Sequence, residues 1–211
     1  MRLQLLTVLL VAFAGNASAD CDPDKMVKVV FREATPGIDK KSFAAKPKTI
    51  WRLGRDYGRL EEEPDNENGI HLLSIVSGRD VWVVNLLQKT GQHMVDSAPT
   101  SGFHAPIVFG EGVPAAASEL EFGCEFQYMR ERAVKPEMVE IAGRQFRQYR
   151  VTEGRFVLKL IAFPDKDIPF GFALLKDGAA QFYFQYMEYG TNIDADLNLF
   201  ARPSGITYSD G

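Results

Sequence analysis

Turns of three or four residues separate most of the strand-like runs in this chain, and that spacing limits what it can fold into. Lys48–Leu53 and Tyr57–Glu63 flank Gly54-Arg55-Asp56, and Ile70–Val76 and Asp80–Leu87 flank Ser77-Gly78-Arg79. Lys89-Thr90-Gly91 leads to Gln92–Val95, and Ala142-Gly143-Arg144 joins Met138–Ile141 to Gln145–Val151. Pro164–Asp167 and Lys176-Asp177-Gly178 separate Arg155–Phe163, Phe170–Leu175 and Ala180–Tyr189. A parallel neighbour needs a crossover of about a dozen residues or more, so these runs pair as antiparallel hairpins. With Met26–Glu33 the pattern predicts about ten strands in one domain.

Several of these runs are apolar on both faces. In Asp80–Leu87, Val81, Val83 and Leu87 alternate with Trp82, Val84 and Leu86. In Arg155–Phe163, Phe156, Leu158 and Leu160 oppose Val157, Ile161 and Phe163, with Lys159 the one interruption. Phe182, Phe184 and Tyr186 oppose Tyr183, Met187 and Tyr189, and Leu72 and Val76 oppose Leu73 and Ile75. A half-solvated antiparallel strand is apolar on one side only. The sheet therefore either rolls up and fills its own interior, or stays partly open around an apolar concavity. Fifteen Phe, seven Tyr and two Trp supply bulk for either outcome.

One segment has helical spacing. Pro114–Ala133 opens with Pro and Ala, offers Ser118 as an N-cap with Glu121 three residues on, and repeats Leu120, Cys124, Tyr128 and Phe126, Met129. Gly123 inside it costs about 1 kcal/mol. The expectation is mainly β: a curved antiparallel sheet forming an unclosed barrel, with one main helix, Ala115–Ala133, across the concave side.

The first residues read as a secretory signal peptide rather than as fold. Arg2 precedes an apolar run from Leu3 to Ala14, broken by Gln4 and Thr7, and Ala17-Ser18-Ala19 follows as a cleavage site. The run is shorter than the ~20 residues a membrane span needs. Cleavage after Ala19 removes residues 1–19 and leaves 20–211 as a single exported domain, with no stable membrane span. Asp20 sits directly before Cys21, so no lipoprotein box is present. The formal charge of −4 becomes −5 without Arg2, and the charges are scattered. That argues against a basic footprint for nucleic acid and against a strong electrostatic pull toward anionic lipid. Cys21 and Cys124 are the only cysteines. Export places them where disulfides persist, so a Cys21–Cys124 bridge is expected; two unrelated buried thiols are the alternative.

Two stretches carry a resemblance. "GRDVWVVNLLQKTGQH" resembles the central hairpin of the periplasmic lipoprotein-localisation carrier (LolA-like) superfamily. "FVLKLIAFPDKDIPFGFALLKDGAAQFYFQYMEYGTNIDADLNLFARPSGITYSDG" is similar to that group's closing pattern: a strand, an Asp-rich turn with Pro169, two further strands, Asn192-Ile193-Asp194, and Phe200-x-x-Pro203-x-Gly205. The likeness runs from Trp51 to Ser209. It implies an unclosed β-barrel with helices across the concave side, acyl-chain binding there, and a periplasmic place of work with a lipid or lipidated protein as partner. The carriers begin with a long helix; here "DPDKMVKVVFREATPGID" reads as strand and loop. The carriers' functional arginine has no assignable counterpart: Arg52, Arg55 and Arg59 all qualify, and the ordinary expectation for each is solvation or pairing.

No catalytic constellation emerges. His71, His93 and His104 lie in separate runs with no His-Glu-x-x-His, so no metal site is expected. There is no Gly-x-Ser-x-Gly elbow, and "FGEGVPAAAS" lacks the Lys-Ser/Thr ending of a phosphate loop. The acidic run Glu61-Glu62-Glu63 with Asp65 and Glu67 does not match an EF-hand. The expectation is a non-enzymatic protein without cofactor that binds a hydrophobic ligand, with Trp51, Trp82, Val84, Phe156, Leu158, Phe182 and Phe184 as wall candidates. Which strand face lines the cavity stays open. The alternative is an envelope protein-interaction or stress-sensing module with a filled barrel, meeting its partner through an edge strand or Pro99–Pro114. An enzyme with dispersed catalytic residues is a third possibility.

Overall fold

The computed structural model describes residues 24–42, 45–96 and 119–210. The expected signal peptide, Cys21, His104, Pro99–Pro114 and the expected helix start at Pro114–Ser118 fall outside these residues.

Among the described residues twelve strands form one curved sheet. In chain order they are β1 (Met26–Glu33), β2 (Lys48–Leu53), β3 (Tyr57–Glu62), β4 (Leu72–Ser77), β5 (Asp80–Asn85), β6 (Thr90–Val95), β7 (Glu137–Ile141), β8 (Arg144–Glu153), β9 (Phe156–Ala162), β10 (Pro169–Lys176), β11 (Ala179–Ile193) and β12 (Thr207–Asp210). Their order across the sheet is β12-β6-β5-β4-β3-β2-β1-β11-β10-β9-β8-β7. The row is linear, with β12 and β7 at its edges, so the barrel is not closed. The short turns make hairpins within each of two meanders, as expected, and β1 joins the two by pairing with β2 on one side and β11 on the other.

Two expectations need correction. The first is the strand count, twelve rather than about ten. β12 pairs with β6 in parallel, Thr207 opposite Thr90 and Ser209 opposite Gln92. Its four residues carry no alternation of their own; the chain reaches that edge only because the segment after β11 crosses the sheet. The second is the helix. α1 is Glu125–Glu131, seven residues, while 119–124 are turn and bridge, and Cys124 stands at the N-cap with no side-chain capping bond. Gly123 sets this start. Its φ is +86°, outside the right-handed helical region, and a Cβ there would stand 2.8 Å from Cγ1 of Val27. The glycine that weakens the helical spacing instead turns the chain tightly against β1.

The period of two assigns the faces. Val29, Ile50, Leu60, Ser74, Val83 and Gln92 lie directly opposite one another from β1 to β6, so they share one face. Lys28, Trp51, Arg59, Ile75, Trp82 and His93 form the next row, on the other face. The first face carries α1. There Val27, Val29, Phe31, Ile50, Tyr149, Leu158, Leu160, Phe172, Leu174, Phe184 and Tyr186 pack with Leu120, Phe122, Phe126, Tyr128 and Met129. The second face over β2–β5 is covered by the C-terminal segment. Phe200, in a 3-10 turn at Leu197–Phe200, packs with Leu73, Ile75, Trp82 and Val84, with Trp51, Leu53, Tyr57 and Ile206 around them. The two-faced strands thus have two separate covers, one from each side.

Candidate functional site

The helix face of the sheet holds a buried polar clasp. Arg52 on β2 points the same way as Ile50 and is 0% exposed. Its Nε donates to the Gly54 carbonyl at 2.9 Å and Nη1 to the Phe122 carbonyl at 3.2 Å, and Nη1 meets Oε2 of Glu121 at 2.6 Å. That last contact is an ion pair without hydrogen-bond alignment. A second carboxylate, Glu125, opens α1 and is fully buried. Tyr186 donates to its Oε1 at 2.8 Å and Tyr189 to its Oε2 at 2.7 Å. Burial holds the Glu125 carboxyl above the usual carboxylate range, and burial beside Glu125 raises both phenols above theirs. One strand residue and two from β11 therefore tie residues 121–125 down onto the sheet through groups that are costly to leave unpaired.

Around this clasp the space is filled by the protein's own rings. Phe31 stacks on Phe122 with centroids 4.7 Å apart and meets Phe184 edge-on at 5.6 Å. Phe122 meets Tyr186 at 6.3 Å, and Phe126 meets Tyr149 at 5.9 Å. The same face behaves differently over β3–β6. Val83 is 36% and Met94 39% exposed, and Leu60, Leu72, Val76 and Val81 are half-buried. A shallow groove of about 310 Å³ lies there, with Leu72, Val83, Asn85, Thr90, Gln92 and Ser209 among its lining residues.

The seven expected wall residues do not share one wall. Leu158 and Phe184 are buried in the helix-side cluster, with Phe156 and Phe182 half-buried against it. Trp82 and Val84 are buried on the opposite face beneath Phe200, with Trp51 packed beside them. Alternation correctly pairs Trp82 with Val84 and Phe182 with Phe184, but it does not say which cover each pair meets. Cys124 is buried and lies 3.7 Å from Arg52 Nη1; the expected bridge reaches Cys21, outside the described residues. Of the three arginines considered, Arg52 is the buried one. Arg59 pairs with Glu61 at 2.8 Å and donates to the Leu199 carbonyl at 3.1 Å, fastening the C-terminal cover. His71 meets Glu61 at 3.2 Å, and His93 meets Asp80 at 2.7 Å while stacking on Trp82. Among the described residues no group of three or more His, Cys, Asp or Glu is placed to hold a metal ion.

Sequence reasoning named Arg52 only as one of three arginines and passed over Glu121, Glu125 and Tyr189 as site residues. One signal was present: Arg52 has the same parity as Ile50, and Glu121 and Glu125 are four residues apart. Charged residues in apolar phase are ordinarily solvated, so the pattern alone did not single them out.

The fold and site together define an unclosed, mainly antiparallel half-barrel with, among the described residues, one short α-helix clasped to one face. No protein-family model matches the chain. No curated protein matches it either. Among solved structures it is similar to an uncharacterized conserved protein from Thermus thermophilus, at 10% identity and TM-score 0.48, over 89% of this chain and 91% of that one. It is also similar to a LolA superfamily protein from Nitrosomonas europaea, at 13% identity and TM-score 0.37, over 88% of this chain and 94% of that one. Likeness this distant leaves the strand order and register as the basis for the fold. No helix among the described residues is long and apolar enough to cross a membrane.

Proposed function

We propose that the chain is an exported, non-enzymatic protein that binds a hydrophobic guest, an acyl chain or a lipidated protein, on the helix face of its half-barrel. The observation that carries this is the contrast along that face. Over β1 and β8–β11 it is sealed by rings, while over β3–β6 Val83 and Met94 stay exposed beside a groove of about 310 Å³. Ligand sites begin at roughly this size. Each methylene buried there is worth about 0.8 kcal/mol before association costs. The segment clasped by Arg52 and Glu125 bounds the guest site on its sealed side, and a Cys21–Cys124 bridge would fix the N-terminus to that same segment. The resemblance in the sequence supports the same class of ligand and a periplasmic location.

Native mass spectrometry after gentle purification tests this, together with uptake of a fluorescent fatty acid. Co-purifying lipid or saturable uptake that Val83→Asp abolishes is the expected result. No lipid and no uptake in the folded protein would overturn it.

A second function is favoured by the ring-filled interior under α1: a protein-interaction or sensing module that meets its partner through an edge strand. Crosslinking that captures one envelope protein at β7 or β12, with no lipid bound, would establish that role instead.

A further inference from the structure

The second face of the sheet is covered by the C-terminal segment over β2–β5; over β8–β11 it buries Phe146 and Ile161 but leaves Arg144 and Arg150 exposed, and that part carries segregated charge. Arg150 on β8 lies directly opposite Lys159 on β9, and Lys159 directly opposite Ala173 on β10, which is opposite Tyr183 on β11. Leu158, Leu160 and Tyr149 belong to the helix-side core, so Arg150 and Lys159, in the alternate phase, face away from it. Arg144, two positions beyond the buried Phe146, and Arg32, opposite Gln185, share that face by the same alternation. Like charges directly opposite one another are unfavourable in a sheet. Among the described residues neither Arg150 nor Lys159 has a carboxylate at ion-pair distance, and Arg32 is held only by the neutral Gln185, at 2.7 Å. The unpaired acid on this side is Glu137; Glu188 is taken by Lys28.

Three net positive charges on one face of a chain of formal charge −4 is a strong segregation. The scattered charge of the sequence hides it, because the period of two sorts residues that alternate in the chain. The same phase also carries Phe146 and Ile161, both buried, with Phe146 packed on Phe163 and Phe170. Gly171 and Ala173 occupy the centre of that face, and the Tyr183 ring lies across Gly171, where a Cβ would come within 2.7 Å of it. The cations span five strands, about 20 Å at ~4.8 Å per strand.

We propose that this face, centred on Arg150 and Lys159, docks the protein on the anionic headgroups of a phospholipid surface. Cations spread over about 20 Å match an array of phosphates, whereas a single small anion would need them gathered at one point. The inference is independent of the guest groove, which lies on the opposite face.

The test is co-sedimentation of the protein, purified as its host exports it, with vesicles of phosphatidylethanolamine and phosphatidylglycerol at low salt. Binding is expected to fade with added salt and to be absent on pure phosphatidylcholine vesicles. Arg150→Gln with Lys159→Gln is expected to weaken binding roughly 20- to 30-fold, at about fivefold per charge. Arg32→Gln with Arg144→Gln, a second pair on the same face, is expected to act in the same direction. Arg79→Gln with Lys89→Gln, on turns of the other half, is expected to leave binding unchanged. Equal binding to both vesicle types, or equal binding by the first pair and the parent, would overturn the proposal. So would binding to an acidic protein in place of vesicles.

Discussion

Arg52 and Glu121 meet at 2.6 Å with the guanidinium wholly buried, one residue from the sheet and one from the segment laid across it. The pair fastens cover to sheet at a point where solvent cannot replace the carboxylate at the guanidinium, while Glu121 keeps 11% of its side chain exposed.

Removing the arginine strands the carboxylate. Arg52→Met should cost about 3–5 kcal/mol in urea denaturation, because it leaves an uncompensated buried charge. Adding Glu121→Met should restore a large part of that loss, since an apolar pair of similar volume replaces a buried ion pair at little cost. A double variant as unstable as the single one would contradict this account.

Glu125 makes stability depend on pH. Its carboxyl is raised in the folded protein by burial. A group raised on folding contributes its stability below its unfolded value, about 4.5, and loses it as pH rises through the folded value. Glu125→Gln should therefore be at least as stable as the parent at pH 7, with the difference closing toward pH 4. Glu62, half-buried on β3, shifts in the same direction, so the readout is the difference between variant and parent melting curves.

Gly123 is required by geometry. With φ at +86° and Val27 at 2.8 Å from a Cβ, Gly123→Ala should cost about 2–4 kcal/mol through strain and overpacking. Val27→Ala in the same chain should relieve only the packing part, as thermal melts of both variants would reveal.

The two covers should separate experimentally. Phe200→Ala empties a site that is 1% exposed and should cost about 3–5 kcal/mol. Binding of a fluorescent fatty acid, measured where both proteins are folded, should be unchanged. Val83→Asp should do the reverse, leaving the melting temperature close to the parent's and reducing fatty-acid binding.

The cysteines should be paired. Thiol titration of unreduced protein should find none free, and reduction should lower stability by about 4 kcal/mol, the entropy of a loop of about 100 residues. Two reactive thiols in the unfolded, unreduced chain would rule out the Cys21–Cys124 bridge.

The chain's short turns and period-two runs determined by themselves that it forms antiparallel hairpins and that several strands need two apolar surroundings. These are local properties: a turn of three residues has no room for a crossover, and alternation fixes which side chains share a face. Phe182 with Phe184, and Trp82 with Val84, were legible for that reason. Only the tertiary structure decided what covers each face. Phe200 reaches Trp82 across more than a hundred residues, and Gly123 abandons the helix because β1 lies against it. It also decided that Arg52, Glu121 and Glu125 are buried. Burial of a charge depends on whether distant partners arrive to pair with it, and no local pattern encodes that arrival.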